Sequence, residues 1–448
     1  MFTIKKIKLT YTQIIVFGTF ALILLGAFLL SLPISARNGM KTPFIDALLT
    51  ASSAFCVTGL IVYDTYTHWS LFGQIVILTL IQVGGLGFMT IITLFSLILK
   101  RKIGLKERRL LMESANTLNI GGIVRLVKKI IKRTFIIEGI GAVILALRFY
   151  SEMGLLEGFY NGVFHSISAF CNAGFDIMGK YDPFTSLTRY TDDIVINFTI
   201  MTLIVVGGLG FLVWDDIIEN GFSFRKYHLH SKIVISITTI LIFGGAAFFY
   251  ILEGSSSMAN MSTYERILAS LFQSVTPRTA GFNTIDQTML SESGSLLTML
   301  LMIIGGSPGS TAGGIKTTTL VVLIIGSISS AKRTSELTIY KRRLENDSLK
   351  KASSITIMYM MTALVSIMVL CAIEDFSLKQ IMFEVFSALS TVGLTMSVTP
   401  NLTSGLSKLI ISLLMYGGKV GVLSLAAALS EKKEAVQLSR PTEKIVIG

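Results

Sequence analysis

The chain has 448 residues, 52% hydrophobic and 15% charged, with a mean hydropathy of +0.69 and a formal charge of +12. A soluble chain of this size needs about a quarter of its residues charged to cover its surface, so a cytosolic enzyme, a disordered chain and a coiled coil are excluded. Long apolar runs from end to end mark a polytopic membrane protein, all α-helical.

In chain order, membrane spans are expected at about Ile14 to Pro33, Leu71 to Leu99, Thr134 to Tyr150, Ile194 to Ile218, Ile233 to Leu252, Leu296 to Ile328, Ile355 to Ile373 and Lys408 to Leu429. Eight crossings put both termini on one side. Of the 39 Lys and Arg residues, 28 fall in the N-terminal tail, the segments Lys100 to Arg133, Arg225 to Lys232 and Lys332 to Lys351, and the C-terminal tail. By the positive-inside rule that side is cytoplasmic. Topology thus accounts for the net charge, and no nucleic-acid partner is needed.

Between the spans lie four shorter apolar stretches, too short to cross a bilayer, that read as re-entrant helices: Phe44 to Phe55, Tyr160 to Phe170, Tyr264 to Val275 and Leu378 to Leu389. Each runs into a turn of small or polar residues carrying a glycine, namely CVTGL, CNAGF, RTAGF and STVGL. The glycines Gly59, Gly174, Gly281 and Gly393 recur at spacings of 115, 107 and 112 residues. A glycine pair opens each following span: Gly84 and Gly85, Gly207 and Gly208, Gly305 and Gly306, Gly417 and Gly418. The expected organisation is four tandem units of helix, re-entrant pore helix and helix, at residues 1–115, 116–222, 223–335 and 336–448.

Four such units can close around an axis with the turns facing inward, forming a pore. Irregular backbone at membrane depth is tolerated where it is buried in protein or lines water. Glycine lets carbonyls point at the axis without a side chain in the lumen, and rings of carbonyls replace part of a cation's hydration shell. The short helices aim their negative dipole ends at the turns, which favours a cation. The turns lack carboxylates, which favours a weakly hydrated monovalent ion over calcium or magnesium, with potassium the best single choice. Arg278 stands beside this path, and either pairs sideways with a carboxylate or caps carbonyls.

These residues carry a family resemblance. The fourfold repeat with one glycine per turn resembles the Trk, Ktr and HKT superfamily of potassium transporters. The stretches SLPIS, RKIGLKER, SVTPRTAGFN and SALSTVGLTM resemble the membrane subunit of bacterial Ktr potassium uptake systems, of the KtrB or KtrD type. The resemblance implies a bacterial cell-membrane protein that forms a homodimer with one pore per subunit, seated on a cytosolic ring of RCK-type nucleotide-binding regulatory proteins. It also implies sodium-stimulated potassium uptake. Carried onto this chain, the selectivity filter comprises Val57, Thr58 and Gly59; Asn172, Ala173 and Gly174; Thr279, Ala280 and Gly281; and Thr391, Val392 and Gly393, with potassium at the carbonyls of the four glycines. Serine in place of the first glycine accompanies sodium selectivity in plant members, so Gly59 points to potassium, with sodium as a further candidate ion.

The stretch from Leu296 to Ser330 is longer than one span and is interrupted by GGSPGSTAGGIKTTT, Gly305 to Thr319. Its glycines and proline break the helix. The phosphate-loop pattern fails here, because Ile315 stands where a lysine must be, so no nucleotide is expected on this chain. The segment reads either as a packing kink or as an intramembrane gate, which the family has at the matching position. The gate residues are then Gly305, Gly306, Gly309, Ser310, Thr311, Gly313 and Gly314, with the intramembrane lysines Lys316 and Lys419. Lys419 stands where the family usually has arginine. It acts as an electrostatic barrier, or it snorkels or pairs with a carboxylate such as Glu384.

Other classes are less well supported. Cys56, Cys171 and Cys371 lack CxxC spacing and His68, His165, His228 and His230 lack ligand spacing, so neither a zinc site nor an enzyme is indicated. A cation-coupled secondary transporter could use the broken third unit as a midplane site, but such proteins usually carry two, often inverted, repeats.

Overall fold

The computed structural model describes residues 10–87, 90, 93, 104, 123–221, 223–334, 336–345, 347–429 and 443. The N-terminal tail, most of the basic segment Lys100 to Arg133, the later half of the expected span Leu71 to Leu99 and nearly all of the C-terminal tail lie outside these residues. The described chain is mostly helical, with almost no sheet. Its helices are α1 (Tyr11–Ser31), α2 (Phe44–Cys56), the one-turn α3 (Thr65–His68), α4 (Leu71–Leu86), α5 (Ile123–Phe170), α6 (Ile194–Leu209), α7 (Phe211–Asn220), α8 (Leu229–Leu252), α9 (Thr263–Val275), α10 (Glu292–Ile303), α11 (Thr317–Ala331), α12 (Asp347–Ile373), α13 (Leu378–Ser390), α14 (Gly405–Val420) and α15 (Val422–Leu429). A two-stranded hairpin, Thr338–Ile339 with Arg342–Arg343, joins α11 to α12.

The four short helices expected from sequence are α2, the last part of α5, α9 and α13. Local chemistry fixes their starts. Ser262 and Ser377 each accept the N–H of the residue three positions on, Glu265 or Gln380, whose side chain takes the serine N–H in return. Within the range labelled α5 the backbone leaves the helical region at Gly154, with φ +76° and ψ −179°, so the span around Thr134 to Tyr150 and the short helix behind it are two helices that meet at a kink.

Among the described residues three helices are long and apolar enough to cross a membrane, Thr12–Ser31, Leu229–Leu252 and Asp347–Ile373, and a fourth crossing results if α6 and α7 count as one span bent by 97°. Among the described residues fewer continuous spans are present than the eight expected. Three of the expected spans are cut short by glycine: α4, α6 and α14 stop at Gly87, Gly210 and Gly421, each with a positive φ (85°, 91° and 91°) that L-residues adopt only at a cost. Leu147, Ile251 and Met368 are each 72% exposed on the outer faces of the long helices. Such a belt is costly in water and ordinary in lipid, so the chain is an integral membrane protein.

The short helices are tied to one another through the helices between them. Near its start, each bonds to the beginning of the helix that follows a different short helix. Lys408 on α14 donates to Asp46 on α2 at 2.6 Å, and Tyr160 on α5 donates to Gln74 on α4 at 2.9 Å. Tyr264 on α9 donates to the carbonyl of Asp192 before α6 at 3.4 Å, and Lys379 on α13 pairs with Glu292 on α10 at 3.1 Å. The first of these joins the last helices to the first and closes the assembly.

Asp46 and Lys408 are both largely buried, with side chains 5% and 14% exposed, and the second Asp46 oxygen accepts from Tyr63 at 2.9 Å. Breaking a buried pair from one side costs about 3–5 kcal/mol, because the remaining charge is stranded. Lys408→Met is therefore expected to lower the thermal midpoint of the detergent-purified protein markedly. The double variant Asp46→Asn, Lys408→Met should recover most of the loss. Equal midpoints across the series would show that the pair does not hold the assembly closed.

Candidate functional site

All twelve residues of the expected filter meet at one place. In every turn the residue two positions before the glycine is left-handed: Val57 at φ 53°, Asn172 at 61°, Thr279 at 74° and Thr391 at 55°. The glycines follow at φ 97°, 68°, 82° and 99° for Gly59, Gly174, Gly281 and Gly393. Between them stand Thr58, Ala173, Ala280 and Val392, which keep ordinary negative φ. This alternation of handedness keeps successive carbonyls on one side of the strand.

The turns touch in a closed cycle. A Cβ on Gly59 would lie 2.5 Å from the carbonyl oxygen of Ala173; one on Gly174, 2.6 Å from that of Ala280; and one on Gly281, 2.6 Å from that of Val392. A Cβ on Gly393 would come closer still to the oxygen of Thr58, which returns to the first turn. The four backbones thus encircle a common centre in chain order, each packed against the next with no room for a side chain.

Each turn is held from its own short helix by a hydroxyl that the sequence reading did not single out. Gly59 N–H donates to Ser53 Oγ at 3.0 Å and Gly393 N–H to Ser387 Oγ at 3.1 Å. Ser168 Oγ donates to the carbonyl of Phe175 at 2.7 Å, and Thr276 Oγ1 donates to that of Phe282. The backbone repeats the pattern: the N–H groups of Thr58, Ala173 and Val392 each donate at 2.8 Å to the carbonyls of Ser53, Ser168 and Ser387. A hydroxyl residue five or six positions before each glycine was the available signal.

The glycine pairs close rather than open their helices, and they serve close approach. A Cβ on Gly84, Gly207 or Gly418 would fall well inside van der Waals distance of the carbonyls of Phe55, Phe170 and Leu389, the residues just before the turns. Only a bare backbone lets α4, α6 and α14 pack against those helix ends. The pair Gly305 and Gly306 lies instead against its own segment, near Gly313 and Ala312.

That segment, residues 304–316, packs at the deep end of the turns. Thr311 Oγ1 lies 3.3 Å from the Asn172 amide in the second turn, and a Cβ on Gly313 would clash with the Thr391 hydroxyl in the fourth. Its ends are zipped by Gly305 N–H to Ile315 O at 3.0 Å and Ile315 N–H to Ile303 O at 3.2 Å. Gly309 and Gly314 take φ +69° and +66°, which folds the segment back. It also completes the break between α6 and α7. Ser307 N–H donates to Gly208 O and Phe211 N–H to Gly309 O, both at 3.0 Å, while the Ser307 hydroxyl donates to Leu209 O. Ser310 Oγ closes the turn onto Ser307 O at 2.7 Å.

Both lysines act on this segment. Lys419 Nζ donates to Thr311 O at 2.8 Å, and Lys316 Nζ turns back onto Ala312 O at 2.6 Å. The alternative partner for Lys419, Glu384, is occupied elsewhere: its oxygens accept from Thr395 at 2.8 and 2.9 Å and from Thr399 N–H at 3.0 Å. His165 is buried among Phe149, Phe164 and Phe282, with Nδ1 2.8 Å from Asn161 O. Among the described residues no group of three or more His, Cys, Asp or Glu side chains could hold a metal ion.

The two glycines of one pair separate packing from flexibility. Gly417 has nothing within 4 Å of an added Cβ, whereas Gly418 faces the Leu389 carbonyl. Gly417→Ala is expected to leave expression and transport close to wild type. Gly418→Ala should reduce folded, monodisperse protein several-fold in size-exclusion profiles, as overpacking of about 1–3 kcal/mol requires. Equal tolerance of both would remove the close-approach role.

Comparison with known proteins places this geometry. The family model described as TrkH, cation transport protein, matches residues 8–438. The potassium/sodium uptake protein NtpJ of Enterococcus hirae is 41% identical over 448 residues, covering 98% of each chain. The Ktr system potassium uptake protein B of Bacillus subtilis is 39% identical over 447 residues, covering 99% of this chain and 98% of that one. The crystal structure of the potassium transporter TrkH from Vibrio parahaemolyticus shares the fold, with a TM-score of 0.76 at 17% identity over 96% of this chain and 87% of that one. With a family match spanning nearly its whole length and relatives aligned end to end, the chain belongs to the TrkH family of cation transport proteins.

Proposed function

We propose that this protein takes up potassium across the bacterial cell membrane through the constriction made by its four glycine turns. The observation that carries the reading is the closed cycle in which Gly59, Gly174, Gly281 and Gly393 each pack against a carbonyl of the next turn. Such a ring offers several oxygens to one dehydrated ion, and its neutral carbonyls suit a monovalent cation. The fit is supported by Thr58 Oγ1 and Thr391 Oγ1, buried at the constriction without hydrogen-bond partners. The relatives named for potassium uptake agree with this ion. Sodium passing the same ring is a second reading, favoured by the name of the potassium/sodium uptake relative.

In this reading the chain comprises four pore units, at residues 1–115, 116–222, 223–335 and 336–448, with eight crossings and cytoplasmic termini. The broken helices are the inner parts of those crossings. The segment from Gly305 to Gly314, held by Lys419, is the gate, and its position against Asn172 and Thr391 supports an occluding role. The naming of relatives as parts of a Ktr system supports a multi-subunit assembly, here a homodimer on a cytosolic RCK-type ring that binds the nucleotide, with sodium stimulating uptake.

Two measurements test these roles. Gly59→Ser adds a side chain at φ +97° against the Ala173 carbonyl, so potassium-over-sodium preference in reconstituted vesicles should fall while membrane insertion persists. Unchanged selectivity in ion-competition uptake would count against the filter. Shortening the chain within Gly309 to Gly314 should raise unregulated flux about tenfold, the shift that loss of one charge-assisted hydrogen bond of about 1.5 kcal/mol gives. A folded deletion variant with normal regulated flux would refute the gate.

A further inference from the structure

One turn of the four differs in the residue that opens it. Cys56, Cys171, Arg278 and Ser390 stand three positions before their glycines, and only Arg278 carries a charge. Three of these side chains, those of Cys171, Arg278 and Ser390, reach back to the long helix preceding the short one. Cys171 Sγ lies 3.9 Å from Glu138 Oε1 on α5, and Ser390 Oγ lies 2.5 Å from the Tyr359 hydroxyl on α12. Arg278 Nη2 donates to Thr238 Oγ1 on α8 at 3.3 Å.

The guanidinium is poorly compensated. Arg278 is 7% exposed, its Nε has no hydrogen-bond partner, and among the described residues no carboxylate lies within ion-pair distance. The carboxylate partner that the sequence allowed is therefore not found. Glu138, the acid behind the second turn, is engaged by Gln82 Nε2 at 3.1 and 3.2 Å. A guanidinium keeps its charge in proteins, and an unpaired buried charge is costly enough that a purely structural position would be filled better by an apolar side chain.

Resting on the potassium-constriction reading, we infer that Arg278 tunes ion affinity: its positive charge, set behind the third turn, weakens cation binding at the ring and so hastens release. Passage through a constriction requires binding strong enough to admit the ion and weak enough to let it leave. Arg278 is the one charged residue among the four that open the turns, and its positive charge tips that balance toward leaving. Removing a unit positive charge from behind the ring lowers the Coulomb repulsion on a bound cation, which tightens binding roughly several-fold where the effective dielectric is about 20 or more.

The test is calorimetric titration of the detergent-purified full-length chain with potassium chloride, ionic strength being held constant with choline chloride. Arg278→Gln removes the charge. Thr238→Asp keeps the arginine and gives it a carboxylate, which carries the test if the glutamine variant fails to fold. Both should bind potassium several-fold more tightly than wild type and show a lower maximal uptake rate in vesicles, while Arg278→Lys should stay close to wild type. Potassium binding by wild type together with unchanged or weaker binding in the folded variants overturns the inference alone. Absence of saturable potassium binding in wild type would instead remove the constriction reading on which it rests.

Discussion

The contact of each turn glycine with a carbonyl of the next turn governs the rest of the structure. Four backbones that touch in a cycle have no free space for a methyl group, so the composition of the ring is set by sterics before any chemistry is considered. Carbonyls gathered around one centre also repel each other. What opposes that repulsion is the bracing behind each turn, where the N–H groups of Thr58, Gly59, Val392 and Gly393 are taken by the main-chain carbonyls and hydroxyls of Ser53 and Ser387. The ring is therefore as rigid as the short helices that end in it, and those helices are fixed in turn by the bonds at their starts.

Rigidity of this kind allows strain. Val57, Thr279 and Thr391 are β-branched residues held at positive φ, a conformation costing about 1–3 kcal/mol each. An isolated turn would relax. Here, relaxation would break hydrogen bonds to the helix and lift a glycine off its neighbour, so the surroundings over-determine the conformation. The strain at the ring of turns is thus offset by the packing of the helices that end in it.

Much of this was legible in the sequence, and the parts that were not share a cause. The short helices and turn glycines were found because apolar length and glycine punctuation are local signals, and the two markers recurred in phase. The breaks at Gly87, Gly210 and Gly421 were not found, because a glycine inside a long apolar run does not report its own φ. The bracing residues Ser53, Ser168, Thr276 and Ser387 were also missed, since a serine in a helix looks the same whether it faces lipid or a turn. For Lys419 the sequence leaves open an electrostatic barrier, snorkelling, or a carboxylate partner such as Glu384. Glu384 was available in composition, but its oxygens are taken by Thr395 and Thr399, a matter of three-dimensional placement alone.

The break in α6 and the segment beside it complete one another. A helix ending at membrane depth leaves carbonyls without partners, and an irregular segment leaves N–H groups without acceptors; each is costly in lipid. The two deficits cancel here, because Ser307 serves Gly208 and Leu209 while Gly309 serves Phe211. A displaced segment would expose both sets at once. They could then be satisfied only by water, so movement of the segment and hydration of the space below the turns are linked by the same few hydrogen bonds. Lys419, whose ammonium now sits on the Thr311 carbonyl, would gain that water too, which makes the hydrated arrangement less unfavourable than a dry one.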